Sequence, residues 1–229
     1  MKTFPTPVEG ALRRVTLKVP ECIRDCSGIL VFGKRIKSLV FTTDVSIIRN
    51  VNADAVIAVY PFTPQPIITQ ALMLAADIPV FVGVGGGLTQ GPRVVNLAMF
   101  AEMQGAMGVV VNAPTTNQVI AEAAQTIDIP VVVTVARADE DFEGRMEAGA
   151  SIFNVSAAAR TPEVVRTIRE RFPHVPIIAT GGAHEDSIRR TIEAGANAIT
   201  WTPPSCGEIF KDIMTAYREG RGYDSVHRD

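Results

Sequence analysis

Three polar residues that β-strands disfavour stand where short apolar runs of this sequence end. Asp44 follows SLVFTT, Asn112 closes MGVVVN, and Asn154 lies in SIFNV. A carboxylate can take up or release a proton, and an amide can orient a polar group of a ligand. Polar groups in otherwise apolar strands need partners, which at the rim of a barrel are usually ligand or water. We therefore predict Asp44 as the acid or base, with Asn112 and Asn154 as further candidate catalytic residues.

Side chains alternate along a strand, so residues of one parity share a face. Thr42 and Asp44 are expected to share the inward parity, and Thr134, Thr180, Thr200 and Thr202 hold corresponding late positions in other runs. Of these, Thr180 and Thr202 are predicted to bind ligand. Threonine in a strand can equally reflect β-propensity alone.

Two glycine-rich segments follow apolar runs. Gly83-Val84-Gly85-Gly86-Gly87 allows close approach of backbone N–H groups, so Gly85 and Gly86 are predicted to face a ligand. The spacing is not that of a dinucleotide fingerprint, and a tight turn is the structural alternative. Gly181 and Gly182 precede a helix, and Ser205 precedes another; helix N-termini attract anions. We predict a phosphate or carboxylate between these two loops, with an amide of Gly182 or Ala183 as donor.

Few ionisable side chains are placed to assist. Arg137, after the fifth apolar run, is the best candidate for pairing with a ligand anion. His184 is a candidate acid or base near neutral pH, with simple solvation as the alternative. Cys206 lies near an expected helix N-terminus, where the pKa of a thiol can fall. None of the five lysines lies at a run end, which argues against a Schiff-base aldolase.

The apolar runs occur eight times at nearly regular spacing and alternate with helical periodicity, as in 67–76, 94–103, 117–126, 162–171 and 187–194. Near-continuous apolar runs suit parallel strands buried on both faces. The entrances alternate between an apolar residue with proline and a small-residue turn, which gives a two-strand period. The sequence thus predicts an α/β fold, a single (β/α)8 TIM barrel, with strands at 38–43, 55–60, 79–84, 107–112, 130–135, 151–155, 176–180 and 197–201.

The barrel is expected to span residues 37–218. Residues 1–36 form an expected N-terminal extension, in which Ile29 to Phe32, a Gly33-Lys34 turn and Ile36 predict a short hairpin under the barrel floor. Residues 219–229 are an expected polar C-terminal tail.

The segment IIATGGAHEDSIRRTIEAGANAITWTPPS resembles the final quarter of aldolase-type, phosphate-binding TIM barrels. These include the IMP dehydrogenase, histidine-biosynthesis isomerase and sugar-phosphate epimerase families, and the resemblance implies that Gly181 and Gly182 bind phosphate. The chain departs from them after the eighth run, where Pro203 and Pro204 remove two amide donors. The whole chain also resembles a bacterial family generically labelled hydrolase.

Bulk properties exclude several classes of function. A net charge of −2 and a pI near 6.0 argue against nucleic acid as a partner, which needs a basic face. No apolar run reaches the ~18 residues that span a bilayer, and we see no secretory signal, so a cytoplasmic protein without a membrane partner is expected. Inward acids and histidines are scarce, so we expect neither a metal ion nor an organic cofactor. The mean hydropathy of +0.20 and apolar helices suggest a homo-oligomer.

Two classes of function remain open, one catalytic and one not, together with a further enzymatic alternative. The first is an enzyme acting on a small phosphorylated or carboxylated metabolite by metal-independent acid–base chemistry, as an isomerase, epimerase or lyase. The second is a ligand-binding or regulatory barrel without catalysis, and a hydrolase or a nucleotide- or FMN-binding enzyme of the IMP dehydrogenase-like group is a further alternative. Fold alone does not separate them.

Overall fold

The computed structural model describes residues 6, 8, 16–182 and 184–222. A short antiparallel hairpin, β1 (Ile29–Val31) and β2 (Lys34–Ile36), comes first. Its turn places Phe32 and Gly33 at positive φ, which matches the twist of the two strands. Eight parallel strands then close into a barrel, in which the last strand pairs with both the first and the seventh: β3 (Ser38–Phe41), β4 (Ala55–Ala58), β5 (Val80–Gly85), β6 (Gly108–Val111), β7 (Val131–Val135), β8 (Ile152–Val155), β9 (Ile177–Thr180) and β10 (Ala198–Trp201). The predicted TIM barrel with its hairpin is confirmed.

Helices follow the strands around the outside: α1 (Val45–Ile48), α2 (Pro66–Ala75), α3 (Pro92–Met103), α4 (Asn117–Thr126), α5 (Phe142–Glu147), α6 (Thr161–Arg171), α7 (Glu185–Glu193) and α8 (Cys206–Arg218). Proline opens α2 and α3, where its missing N–H costs nothing. Both α1 and α5 are only one to two turns long and begin at aspartate caps, Asp44 and Asp141. No helix within the described ranges is long and apolar enough to cross a membrane.

Two apolar cores explain why the strands read as continuous Val/Ile runs. One lies between the barrel and its helices, and the other fills the barrel itself. The inner core contains Leu39, Ile57, Phe81, Val110 and Ile178 and is continued at the N-terminal end of the strands by Ile29, Val31 and Ile36 of the hairpin. Burial on both faces is what a parallel barrel demands of its strands.

The inner core also decides which late strand residues point inward. Val110 and Val132 belong to it, so Asn112 and Thr134 share the inward parity, and the same holds for Asn154, Thr180 and Thr200 in their strands. The prediction that Thr42 and Asp44 share this parity was wrong. Leu39 is the inward residue of β3 and Val40 packs outside, and the strand ends at Phe41, so Asp44 belongs to the cap of α1.

Candidate functional site at the barrel mouth

Two adjoining pockets open at the C-terminal ends of the strands. The first, which we call the rim pocket, has a volume of about 560 Å³ and is lined among others by Asp44, Tyr60, Asn112, Thr202 and Ser205. The second, the glycine-loop pocket, has a volume of about 230 Å³ and lies along the loop after β5. Tyr60 and Asn112 line both pockets, so the two form adjacent parts of one mouth. This end of the barrel carries the active sites of TIM-barrel enzymes.

Asp44 is held firmly by the chain that follows it. Its Oδ1 accepts hydrogen bonds from the Ser46 amide at 2.8 Å, the Ser46 hydroxyl at 2.6 Å and the Ile47 amide at 3.3 Å. Hydrogen bonding from Cys206 and from Ser46 lowers the pKa of the Asp44 carboxyl, and this outweighs the opposing effect of burial. Asp44 is therefore an ionised carboxylate in the wall of the rim pocket.

Cys206, the first residue of α8, lies beside both Ser46 and Asp44. The Cys206 Sγ lies 2.9 Å from the Ser46 Oγ, and the Ser46 hydroxyl is already within bonding distance of Asp44. Its hydrogen bond to Asp44 is the main reason that the pKa of Cys206 is raised. The expectation that the helix N-terminus lowers this pKa was wrong, because a carboxylate acceptor beside a thiol favours the protonated form. Cys206 is thus a protonated thiol next to an ionised acid.

Asn112 occupies the boundary between the two pockets. Its backbone is fully engaged: the amide donates to the Gly85 carbonyl at 2.9 Å, and its carbonyl accepts from both the amide and the hydroxyl of Thr115. Its side-chain amide has no hydrogen-bond partner among the described residues and is half-buried. A rigid backbone with a free amide group is well suited to orient a polar group of a ligand.

Neighbouring atoms pack so closely against two glycines of the loop after β5 that a larger residue would not fit, which the sequence did not reveal. A Cβ on Gly86 would lie 2.1 Å from the Thr115 Oγ1 and 2.7 Å from the Asn112 amide nitrogen. A Cβ on Gly85 would lie 2.7 Å from a methyl group of Val94. Gly86 is buried, whereas Gly85 lines the glycine-loop pocket. Close packing against Asn112 therefore accounts for Gly86.

Below the mouth lies a layer of uncharged polar side chains. The Asn154 Nδ2 donates to the Thr134 Oγ1 at 3.2 Å, and Thr180 pairs in register with Thr200 on the other side. Asn154 and Thr200 are only 9% and 5% exposed, yet Asn154 Oδ1 and Thr200 Oγ1 have no hydrogen-bond partner among the described residues. Buried polar atoms without partners are rare and call for an explanation such as water or ligand.

Some of the groups predicted to bind an anion after β9 and β10 are engaged in hydrogen bonds of the chain itself. The Gly181 amide donates to the Thr200 carbonyl, and Gly182 is exposed with φ +80°. The Ser205 hydroxyl and amide both bind the Glu208 carboxylate, so the chain's own acid caps α8. His184 is exposed and directly precedes α7, and its side chain does not form a hydrogen bond that caps the helix. The Ala183 amide, named as the alternative phosphate donor, lies outside the described residues.

Arg137 is not directed to the mouth. Its guanidinium pairs with Asp139 at 3.0 Å, and 69% of its side chain is exposed. Sequence reasoning missed a different arginine, Arg145, whose guanidinium donates to the carbonyls of Ala113 and Thr115 and lies 3.6 Å from Glu140. This largely buried pair holds the loop that follows Asn112. No sequence signal points to it, because the two charges are five residues apart and the carbonyl partners lie in another loop.

The described residues contain no group of three or more His, Cys, Asp or Glu side chains placed to hold a metal ion. Divalent cations such as Mg²⁺ bind mainly through carboxylates, carbonyls and water. Asp44 is the single carboxylate that lines the rim pocket within the described ranges. The described lining of the rim pocket therefore offers a divalent cation one carboxylate rather than a full set of protein ligands.

Comparison with solved structures finds several proteins whose fold is similar to that of this barrel. A phosphonopyruvate hydrolase superimposes with a TM-score of 0.66 at 13% sequence identity, covering 91% of each chain. A phosphoenolpyruvate phosphomutase from Streptomyces platensis subsp. rosaceus reaches 0.65 at 13% identity, covering 87% of this chain and 86% of its own. A 2,3-dimethylmalate lyase, described as a member of the PEP mutase/isocitrate lyase superfamily, reaches 0.61 at 14% identity, covering 93% and 88%.

These comparisons show the fold alone. No protein-family model matches the chain, and no curated protein matches it significantly. The expected aldolase-type barrel is supported, whereas these neighbours are not IMP dehydrogenases, histidine-biosynthesis isomerases or sugar-phosphate epimerases. A further phosphonopyruvate hydrolase was solved with oxalate and Mg²⁺, at 14% identity and a TM-score of 0.63.

Proposed function

We propose that this protein is an enzyme of the isomerase, epimerase or lyase type that acts on a small carboxylated or phosphorylated metabolite in the rim pocket. One observation carries the proposal: an ionised carboxylate, Asp44, and a protonated thiol, Cys206, lie on either side of Ser46 at the mouth of the barrel. A carboxylate that can accept a proton, joined by a hydroxyl to a thiol that can release one, supplies both sides of a proton transfer. The similarity in fold to a mutase, a hydrolase and a lyase adds support.

In the proposed reaction, Asp44 takes a proton from a carbon next to the substrate's carboxylate, and the electron pair moves onto the carboxyl oxygens. The Asn112 side-chain amide donates a hydrogen bond to this developing charge. Asp44 then gives a proton to the new position, and the Cys206 thiol, which lies behind Asp44 and does not line the rim pocket, exchanges protons with Asp44 through the Ser46 hydroxyl. Protons and electrons balance without a cofactor or metal ion.

The remaining predicted ligand-binding residues keep narrower roles in this proposal. Thr202 lines the rim pocket, and Asn154 with Thr180 belongs to the polar layer beneath it. Arg137, paired with Asp139, is not assigned to the anion, and His184 is not assigned to proton transfer. The substrate's anion is proposed to bind at backbone amides and Asn112.

The test is solvent proton exchange, which detects abstraction of the proton whatever the final product is. Carboxylated and phosphorylated metabolites are incubated with the protein in D₂O, and loss of the C–H signal next to the carboxylate is followed by proton NMR. Asp44→Asn should abolish exchange while keeping the fold, because asparagine also caps helices well. Cys206→Ser should slow exchange at least tenfold.

The second candidate function, a non-catalytic binding barrel, is favoured by one observation. No Lys, Arg or His side chain lines either pocket within the described part of the chain. Saturable binding of a metabolite with no exchange in D₂O would establish this alternative. Exchange that persists unchanged in Asp44→Asn would instead refute the assigned base.

A further inference from the structure

The glycine-loop pocket differs chemically from the rim pocket that it joins. None of its lining side chains among the described residues is charged, and most are apolar or aromatic, including Val59, Pro61, Phe62, Pro64 and Leu88. The rim pocket, by contrast, contains the Asp44 carboxylate. A substrate that fills both pockets must therefore combine a polar end with an uncharged one.

Two large apolar side chains stand at the opening of this pocket, on different loops. Phe62, after β4, is 73% exposed, and Leu88, after β5, is 92% exposed. Single exposed apolar residues are common, but a pair of them bordering one cavity marks a binding surface for apolar groups. An apolar group bound between Phe62 and Leu88 would remove apolar surface from water. This favours binding by roughly 25 cal/mol for each Å² of apolar surface buried.

We propose that the glycine-loop pocket is a subsite for an apolar end of the substrate, a branched aliphatic or phenyl group. The carboxylate of that substrate lies at Asn112, and its reacting carbon faces Asp44. This inference rests on the proposed function and narrows its substrate class to carboxylic acids with an apolar side group. An apolar cavity of about 150 Å³ is known to hold benzene, so about 230 Å³ is sufficient.

The charge of the side chains that line the mouth also favours a carboxylated substrate. A phosphate group carries close to two negative charges, and a strongly charged group in a cavity needs a paired cation. Neither pocket has a Lys or Arg side chain in its described lining. A carboxylate carries half that charge, and the Asn112 amide supplies it with a neutral donor. The mouth of the barrel therefore favours carboxylated over phosphorylated metabolites.

The subsite is tested first with fluorobenzene, by ¹⁹F NMR line broadening against the whole protein. Gly87→Leu fills the pocket, and its Cβ meets nothing closer than 3.9 Å, so it should fold normally and abolish binding. Leu88→Ser should weaken binding several-fold. Ile67→Ser is the matched control, since Ile67 is 66% exposed on α2 and lines neither pocket of the mouth. Absent binding at millimolar fluorobenzene, or binding that Gly87→Leu leaves intact, overturns the subsite.

The second arm compares phenylpyruvate, pyruvate and phosphoenolpyruvate by calorimetry. Phenylpyruvate should bind at least tenfold more tightly than the other two, and Gly87→Leu should remove that advantage. Equal affinities would refute the subsite while exchange in D₂O still supports the enzyme. Fluorobenzene binding that is lost in Gly87→Leu, without any exchange, would retain the subsite and refute the proposed catalysis.

Discussion

Replacing Gly86 by alanine should destabilise the protein more than almost any other small substitution in the mouth. Gly86 has φ +99°, a conformation that costs a residue with a Cβ roughly 1–2 kcal/mol. The new Cβ would also lie 2.1 Å from the Thr115 Oγ1, 2.7 Å from the Asn112 nitrogen and 2.9 Å from the Asn112 oxygen. The hydroxyl would have to leave its 2.8 Å hydrogen bond, and backbone atoms cannot retreat easily. Overpacking of this kind costs about 1–3 kcal/mol, so together with the backbone strain we expect a total loss of about 2–5 kcal/mol.

Two other glycines separate the cost of backbone strain from the cost of overpacking. Gly33 has φ +80° but nothing within 4 Å of its Cβ position, so Gly33→Ala should cost only the backbone strain of roughly 1–2 kcal/mol. Gly87 has open space and no positive φ, so Gly87→Ala should be neutral or stabilise by about 0.4–1 kcal/mol.

The measurement is the urea midpoint of each variant, with the slope m checked for constancy. A free energy of unfolding for Gly86→Ala within about 1 kcal/mol of that for Gly33→Ala would refute the close approach to Asn112 and Thr115. It would also reopen the prediction that Gly86 is there for a ligand.

Three other substitutions test separate parts of the molecule. Asp44→Asn should speed alkylation of Cys206 by iodoacetamide at pH 7 several-fold, measured by mass spectrometry, because it replaces an ionised acceptor by a neutral, weaker one and so lowers the thiol's pKa; an unchanged rate would contradict the contact. Asn154→Leu should lower the free energy of unfolding by no more than about 1.5 kcal/mol, because it removes the hydrogen bond from Nδ2 to Thr134 together with the Oδ1 that has no partner among the described residues; a larger loss in urea unfolding would reveal a further buried partner. Leu74 and Met103, which are 81% and 75% exposed on the adjacent helices α2 and α3, are predicted to lie between subunits. Light scattering should show an oligomer that dissociates when both residues are replaced by glutamate. A wild-type monomer at micromolar concentration would refute this prediction.

The barrel itself was readable from the sequence because its signals are local. Apolar runs buried on both faces have no polar alternation, so all eight strands fall within two residues of their predicted ends, and the hairpin turn at Gly33 was recognisable from its residue types. Parity then placed Asn112, Asn154 and Thr180 on the inner face, because an extended strand repeats every two residues. That rule failed at Asp44, since it does not hold beyond the end of a strand.

The contacts that make the mouth chemically specific were decided by tertiary structure. Ser46 and Cys206 are 160 residues apart and meet only because β10 closes on β3, so neither the thiol's carboxylate partner nor its raised pKa is a property of local sequence. The need for glycine at position 86 likewise comes from Asn112 and Thr115 on the next strand and its loop. Sequence determines the elements through short-range periodicity, whereas closure of the barrel determines which loop residues become neighbours, and with them the charge state of each group.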